Sequence, residues 1–182
     1  MKGQKEAERL LQEAEMICDA RQVQDAVAKM AREITARLGN EFPVVLSVMG
    51  GAAVFTGQLL PQLAFPLEFG AIEVTRYNND IQGREISWRL SPRDNVRGRT
   101  VLVVDDILDE GITLAAIEKR LKEMGAAKVM AAVFADKDLG KERPAKADFV
   151  GIKVPNRYVF GFGMDAYGLW RNLPAIYALK GS

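Results

Sequence analysis

Between Val101 and Leu114 the chain reads VLVVDDILDEGITL: four apolar residues without polar alternation, then Asp105, Asp106 and Asp109, then a glycine and a threonine that open a helical stretch. An apolar run without alternation marks a strand covered on both faces, which requires a sheet with helices on either side. Ligands of open sheets of this kind bind at the carboxyl ends of the strands. Adjacent carboxylates there repel one another and lose hydration, so a chain keeps them where hydroxyls, a metal or a cation compensates. The bend Asp109, Glu110, Gly111, Ile112 and Thr113 can turn successive amide N–H groups toward one point, with a helix dipole behind them and the Thr113 hydroxyl alongside. Such a bend is a phosphate cradle. It lacks the GKS or GKT ending of a Walker loop, which excludes an ATP site of that type. Carboxylates for a diol and amides for a phosphate together suit a sugar phosphate.

The other elements fall around this segment. Leu10, Leu11, Ala14 and Ile17, then Val23, Val27, Met30, Ile34 and Leu38, recur at three- and four-residue spacing and predict two amphipathic helices ending at Gly39 and Asn40, the second capped by Asp19. VVLSVM predicts a strand, followed by the turn residues Gly50 and Gly51 and by AAVFTGQLL with helical spacing up to Pro61. LEFGAIEVTRY and REISWRL predict two more strands separated by the polar stretch NNDIQG, and VMAAVFA a further buried one after the helix Leu114–Met124, which Gly125 closes. FVGI and RYVFGF read as a small appended β element. Strands alternating with helices predict an α/β fold with a central parallel sheet flanked by helices.

The 182 residues give room for one domain with a filled core. The expected division is N-terminal helices over 1–40, a core sheet over 41–136 and a small C-terminal hood over 137–182. Twenty-five basic residues against 24 acidic ones supply no field that would gather nucleic acid. The charged start MKGQKEAERLLQEAEM lacks a secretion signal's apolar region and no stretch is apolar enough to span a bilayer, so a cytoplasmic location and no membrane partner are expected. A lone cysteine, Cys18, in a stretch that reads as helix, excludes an intramolecular disulfide and is expected as a small buried or half-buried side chain. The absence of histidine removes Ser-His-Asp and Cys-His catalysis and every His-ligated metal site, leaving carboxylates, lysine, hydroxyls and backbone amides.

VLVVDDILDEGIT resembles the phosphoribosyl pyrophosphate motif of type I phosphoribosyltransferases. From about Pro43 onward the order of features is similar to that of hypoxanthine-guanine phosphoribosyltransferases: a glycine turn after the first strand, an aromatic-containing loop, this motif, a lysine, and an aromatic-valine pair followed by an aspartate and an arginine. The resemblance implies the type I fold with its hood, and transfer of a 5-phosphoribosyl group from phosphoribosyl pyrophosphate to hypoxanthine or guanine, with Mg2+ as cofactor.

By the same resemblance, Asp105 and Asp106 hold the ribose hydroxyls, Asp109 is the general base toward purine N7, and the bend from Asp109 to Thr113 binds the 5'-phosphate, Gly111 and Thr113 above all. Lys137 donates to the exocyclic oxygen of the base, Tyr158 stacks on the purine, and the Val159 backbone reads its edge. Asp165 binds Mg2+ beside the purine, with Asp105 and Asp106 as further metal ligands, and Arg171 contacts pyrophosphate. Gly50 and Gly51 fall where the family places a pyrophosphate-touching turn, often through a non-proline cis peptide. Here Gly50 replaces a longer side chain, and Ala52 stands where a second glycine is usual. Glu110 stands where many relatives have threonine and is expected to face away from phosphate. Thr75, Arg76 and Tyr77 correspond to the start of a closing loop at about 75–84 that orders with substrates. A homodimer or homotetramer is expected. The competing readings are a nonenzymatic phosphoribosyl pyrophosphate sensor that binds RNA, and a transferase for xanthine, adenine or orotate.

Overall fold

The computed structural model describes residues 3–77 and 85–181. The polar stretch expected to form the closing loop lies at 78–84, outside the described residues. The chain opens with helix α1 (Gln4–Gln12), strand β1 (Glu15–Cys18) and helix α2 (Ala20–Leu38). Helix α2 begins with a reciprocal cap: the Gln22 amide donates to Asp19 Oδ1 at 2.8 Å, and the Asp19 amide donates to Gln22 Oε1 at 2.9 Å. Strand β2 (Val44–Met49) leads through the glycine turn into α3 (Ala53–Leu59), and β3 (Glu68–Tyr77) returns as β4 (Glu85–Leu90). The order continues with β5 (Thr100–Leu108), α4 (Ile112–Glu123), β6 (Lys128–Lys137) and β7 (Phe149–Val154), and closes with the short β8 (Val159–Phe160) and β9 (Ile176–Ala178).

The larger sheet has the order β4-β3-β2-β5-β6-β7, parallel except for the antiparallel edge pair β3–β4. Its alternate residues feed two separate cores. Val45, Leu102, Val104, Met130, Ala132 and Phe134 pack under α2 and α3, where Val23, Val27, Met30 and Ile34 are fully or almost fully buried. Val44, Leu46, Val101, Val103, Ala131 and Val133 pack under Leu114, Ile117 and Leu121 of α4. Two covered faces explain why VLVV carries no polar alternation. Neighbours β2 and β5 lead their chains in opposite directions across the sheet, β2 toward β3 and β5 toward β6. Between their carboxyl ends lies the switch-point crevice where open α/β sheets bind ligands.

Two features differ from the sequence-based expectation. The first helix stops at Gln12, and Ile17 and Cys18 lie in β1, which pairs antiparallel with β9. A partner 160 residues away in the chain overrides the local helical spacing. FVGI is no appendage: it forms β7, the parallel edge strand beside β6, so the main sheet runs past residue 136. RYVFGF does supply the small element, as β8 in the three-stranded sheet β1-β9-β8.

Candidate active site

Strand β5 carries Asp105 and Asp106 before it ends, still in register with β6. Each carboxylate is tethered to the next backbone amide: Asp105 Oδ1 accepts from the Asp106 N–H and Asp106 Oδ1 from the Ile107 N–H, both at 2.9 Å. These short tethers fix the acids at the strand tip. Burial pushes the Asp106 carboxyl above its ordinary range, opposed by its hydrogen bond with Asp105 and by the nearby Arg171 charge.

Across the crevice, β2 ends in a cis peptide bond between Met49 and Gly50, one residue before the expected Gly50-Gly51 turn. Gly51 lies against the acids so closely that an added Cβ would stand 1.9 Å from Asp106 Oδ2. Gly163, at φ +102°, presses on Gly51 in turn, with its own Cβ position 2.0 Å from the Gly51 carbonyl oxygen. Only glycine permits this column of contacts. Arg171 completes it from the C-terminal side, donating to the Gly163 carbonyl and pairing with Asp165, whose Oδ2 also accepts from the Gly168 N–H at 2.6 Å.

The resulting hollow, about 350 Å³, is lined by Gly50, Gly51, Asp105, Asp106 and Asp109, and by Gly111, Thr113, Asp165 and Arg171. At the expected phosphate bend, Gly111 is the N-cap of α4 in the left-handed conformation, φ +77°, and Thr113 lies in the first helical turn, where amide N–H groups lack intrahelical partners. Glu110 and Ile112 are not among the lining residues.

The residues expected to bind the base stand elsewhere. Lys137 ends β6 and lines a neighbouring hollow of about 590 Å³ that shares Leu108 with the first. Lys137 Nζ reaches back to Asp109 Oδ2 at 2.8 Å, so the two hollows meet at this ion pair. Tyr158 and Val159 line neither: Val159 is buried in β8, while the Tyr158 ring is partly exposed and stacked on Tyr167. Thr75 is near the end of β3 with its hydroxyl buried and, among the described residues, without a hydrogen-bond partner, next to Val74 on the wall of the acidic hollow, and Arg76 and Tyr77 complete the strand.

Arg143 was invisible in the sequence. Its guanidinium donates to the carbonyls of Leu108, Asp109 and Lys137 at 3.0, 3.2 and 3.1 Å and to Asp136 Oδ1 at 2.6 Å. It locks the ends of β5 and β6 together, and with them the backbones that carry Asp109 and Lys137. Backbone carbonyls look alike at every residue, so no pattern announces such a partner.

For a metal, the chemistry of the donor set decides. Among the described residues no three such side chains converge into a cage. Carboxylates at Asp105, Asp106 and Asp165 facing one hollow suit Mg2+, which binds one or two carboxylates and takes its remaining oxygens from water and substrate phosphates.

A phosphoribosyl transferase domain matches residues 13–167, and the chain belongs to that family. Within it the chain is similar to the hypoxanthine-guanine phosphoribosyltransferase of Bacillus subtilis strain 168, 31% identical over 87% of this chain and 89% of that protein. It is likewise similar to the hypoxanthine-guanine-xanthine phosphoribosyltransferase of Tritrichomonas foetus, 34% identical over 88% of each. The crystal structure of a hypoxanthine phosphoribosyltransferase from Staphylococcus aureus superposes with a TM-score of 0.84 at 25% identity, over 94% of this chain and 95% of that one.

Proposed function

We infer that the protein works in purine salvage, transferring the 5-phosphoribosyl group of phosphoribosyl pyrophosphate to hypoxanthine, guanine or both, and releasing pyrophosphate with IMP or GMP. The observation that carries this reading is the Lys137–Asp109 contact at 2.8 Å on the lip of the phosphate cradle. A 6-oxopurine carries O6, an acceptor, and N7–H, a donor, side by side on one edge. A lysine donor and a carboxylate acceptor in contact match that edge in both position and polarity.

The bond from C1' of the ribose to pyrophosphate breaks, the bond from C1' to N9 forms, and the N7 proton passes to Asp109. Asp105 and Asp106 hold the ribose hydroxyls, and the amides from Asp109 to Thr113 hold the 5'-phosphate. Arg171 and the turn at Gly50 and Gly51 meet the departing pyrophosphate, where preorganised charge acts on charge as it develops. One or two of the carboxylates of Asp105, Asp106 and Asp165 would hold Mg2+, which would neutralise phosphate charge. Tyr158 stacks on the base, Val159 reads its edge, and Thr75, Arg76 and Tyr77 begin a closing loop. The site needs no nucleic acid, and among the described residues no helix is long and apolar enough to cross a membrane. We place the protein in the cytoplasm as a homodimer or homotetramer, with exposed Phe42, Phe69 and Leu90 as apolar material for subunit contacts.

An absorbance assay of purified protein with phosphoribosyl pyrophosphate, Mg2+ and each purine in turn tests the reading. Asp109→Asn is expected to lower turnover by about 100-fold or more while sparing phosphoribosyl pyrophosphate binding. Lys137→Ala is expected to weaken use of hypoxanthine and guanine and to leave the sugar site intact. Unchanged turnover in the first variant removes Asp109 from the chemistry.

A further inference from the structure

The segment from Asp165 to Arg171 holds two bulky residues in the left-handed backbone region, Tyr167 at φ +55° and Trp170 at φ +68°. Side chains of this size rarely adopt it, and such conformations persist where the surroundings over-determine them, often beside functional sites. The surroundings here are explicit. Ala166 and Leu169 exchange backbone hydrogen bonds of 2.9 and 3.1 Å, Gly168 is held by Asp165 as described, and the Trp170 indole N–H donates to the Ala7 carbonyl of α1 at 2.9 Å.

The outcome of this fixation is the placement of one ring. Tyr167, 58% exposed, lies over Tyr158, 38% exposed, with ring centroids 5.4 Å apart and planes 21° from parallel. The Tyr167 N–H also approaches the Tyr158 hydroxyl at 3.4 Å. Area burial does not account for a strained turn that presents a mostly exposed ring. Tyr158 is anchored through its backbone, its carbonyl accepting from the Leu179 N–H at 2.9 Å, but its ring reaches out of the fold. A protruding ring loses rotamer freedom when a ligand stacks on it, and ordering it beforehand removes that cost from binding. The stack with Tyr167 fixes the plane of the Tyr158 ring.

We propose that Tyr167 is a positioning residue of the base subsite, holding the Tyr158 ring in the orientation that stacks on the purine and so setting base affinity without touching the sugar phosphate. The proposal rests on the reading of Tyr158 as the stacking ring. It adds to that reading a residue whose effect passes entirely through Tyr158.

Steady-state kinetics on the full chain, with hypoxanthine and phosphoribosyl pyrophosphate varied separately, test it on Tyr167→Ala, Tyr167→Phe, Tyr158→Ala and the double alanine variant. Tyr167→Ala is expected to raise the KM for hypoxanthine about threefold to tenfold, the range of an aromatic pair, with kcat and the other KM within about twofold. Tyr167→Phe keeps the ring and is expected to behave as the parent. The double variant is expected to be no worse than Tyr158→Ala, because a residue acting through another loses its effect once that one is gone. An unchanged or lowered hypoxanthine KM in Tyr167→Ala overturns the proposal, as does a double variant whose defect is the product of the two single ones. If Tyr158→Ala itself leaves the hypoxanthine KM unchanged, the stacking reading fails and the proposal falls with it.

Discussion

Gly51 and Arg143 hold the site in different ways, one by having no side chain and the other by saturating a long one. In Gly51→Ala the new methyl meets the Asp106 carboxylate at 1.9 Å, so either the acid or the turn must move. Overpacking of this kind costs about 1–3 kcal/mol, and we expect urea unfolding to register it. Calorimetry should show phosphoribosyl pyrophosphate binding weakened by about tenfold, equivalent to about 1.4 kcal/mol. In Arg143→Met three carbonyls and Asp136 lose their donor, leaving a half-buried carboxylate without its cation. That loss should cost about 1–3 kcal/mol in stability, and turnover should fall with it as Asp109 and Lys137 lose their common anchor. The acids and the glycine bend stood out in the sequence because their chemical types and spacing are unusual, whereas Lys137 was singled out by resemblance. Arg143 and Tyr167 were not, since one acts on anonymous backbone carbonyls and the other through a turn conformation that residue type argues against.

Secondary elements were legible in proportion to how local their causes are. Strand β5 and helix α4 carry their own signals, an unbroken apolar run and a 3.6-residue period, and both appear where the sequence puts them. Strand β1 owes its existence to β9, and β7 to an open edge of the sheet, so neither leaves a periodicity of its own. Cys18 reports on β1. Burial, and then the Asp19 charge, push its thiol above the ordinary value. The folded pKa thus exceeds the unfolded one, and the neutral thiol's contribution to stability is complete below about pH 8.5 and fades as pH rises through the higher folded value. Ellman's reagent should therefore react slowly with native protein at pH 8 and rapidly in urea, and Cys18→Ala should flatten the alkaline fall in stability. Fast labelling of the native chain would mean that β1 detaches readily.

On the scale of the whole molecule, the two-faced sheet gathers Gly50, Gly51, Asp105, Asp106, Asp109, Gly111, Thr113, Asp165 and Arg171 around one crevice between β2 and β5. A ligand that bridges them ties the folded form together. With phosphoribosyl pyrophosphate and Mg2+ at about a hundred times the dissociation constant, we expect about 2.7 kcal/mol of added stability and a melting temperature raised by about 5–10 °C. Addition of EDTA should remove most of that rise; a shift indifferent to EDTA would speak against a metal-bridged complex. The parallel sheet follows from the alternation of strands and helices, whereas of the small sheet the sequence announced only RYVFGF, which supplies β8. Its middle strand is β9, flanked by β1 and β8. During synthesis the ribosome therefore releases both flanking strands before either has a neighbour to bind, and any nascent polypeptide cut short of Ile176 carries two orphaned ribbons. The acids and the glycine bend are encoded before Asp165 and Arg171, so the main sheet can settle while translation continues; the small sheet must await Ile176–Ala178.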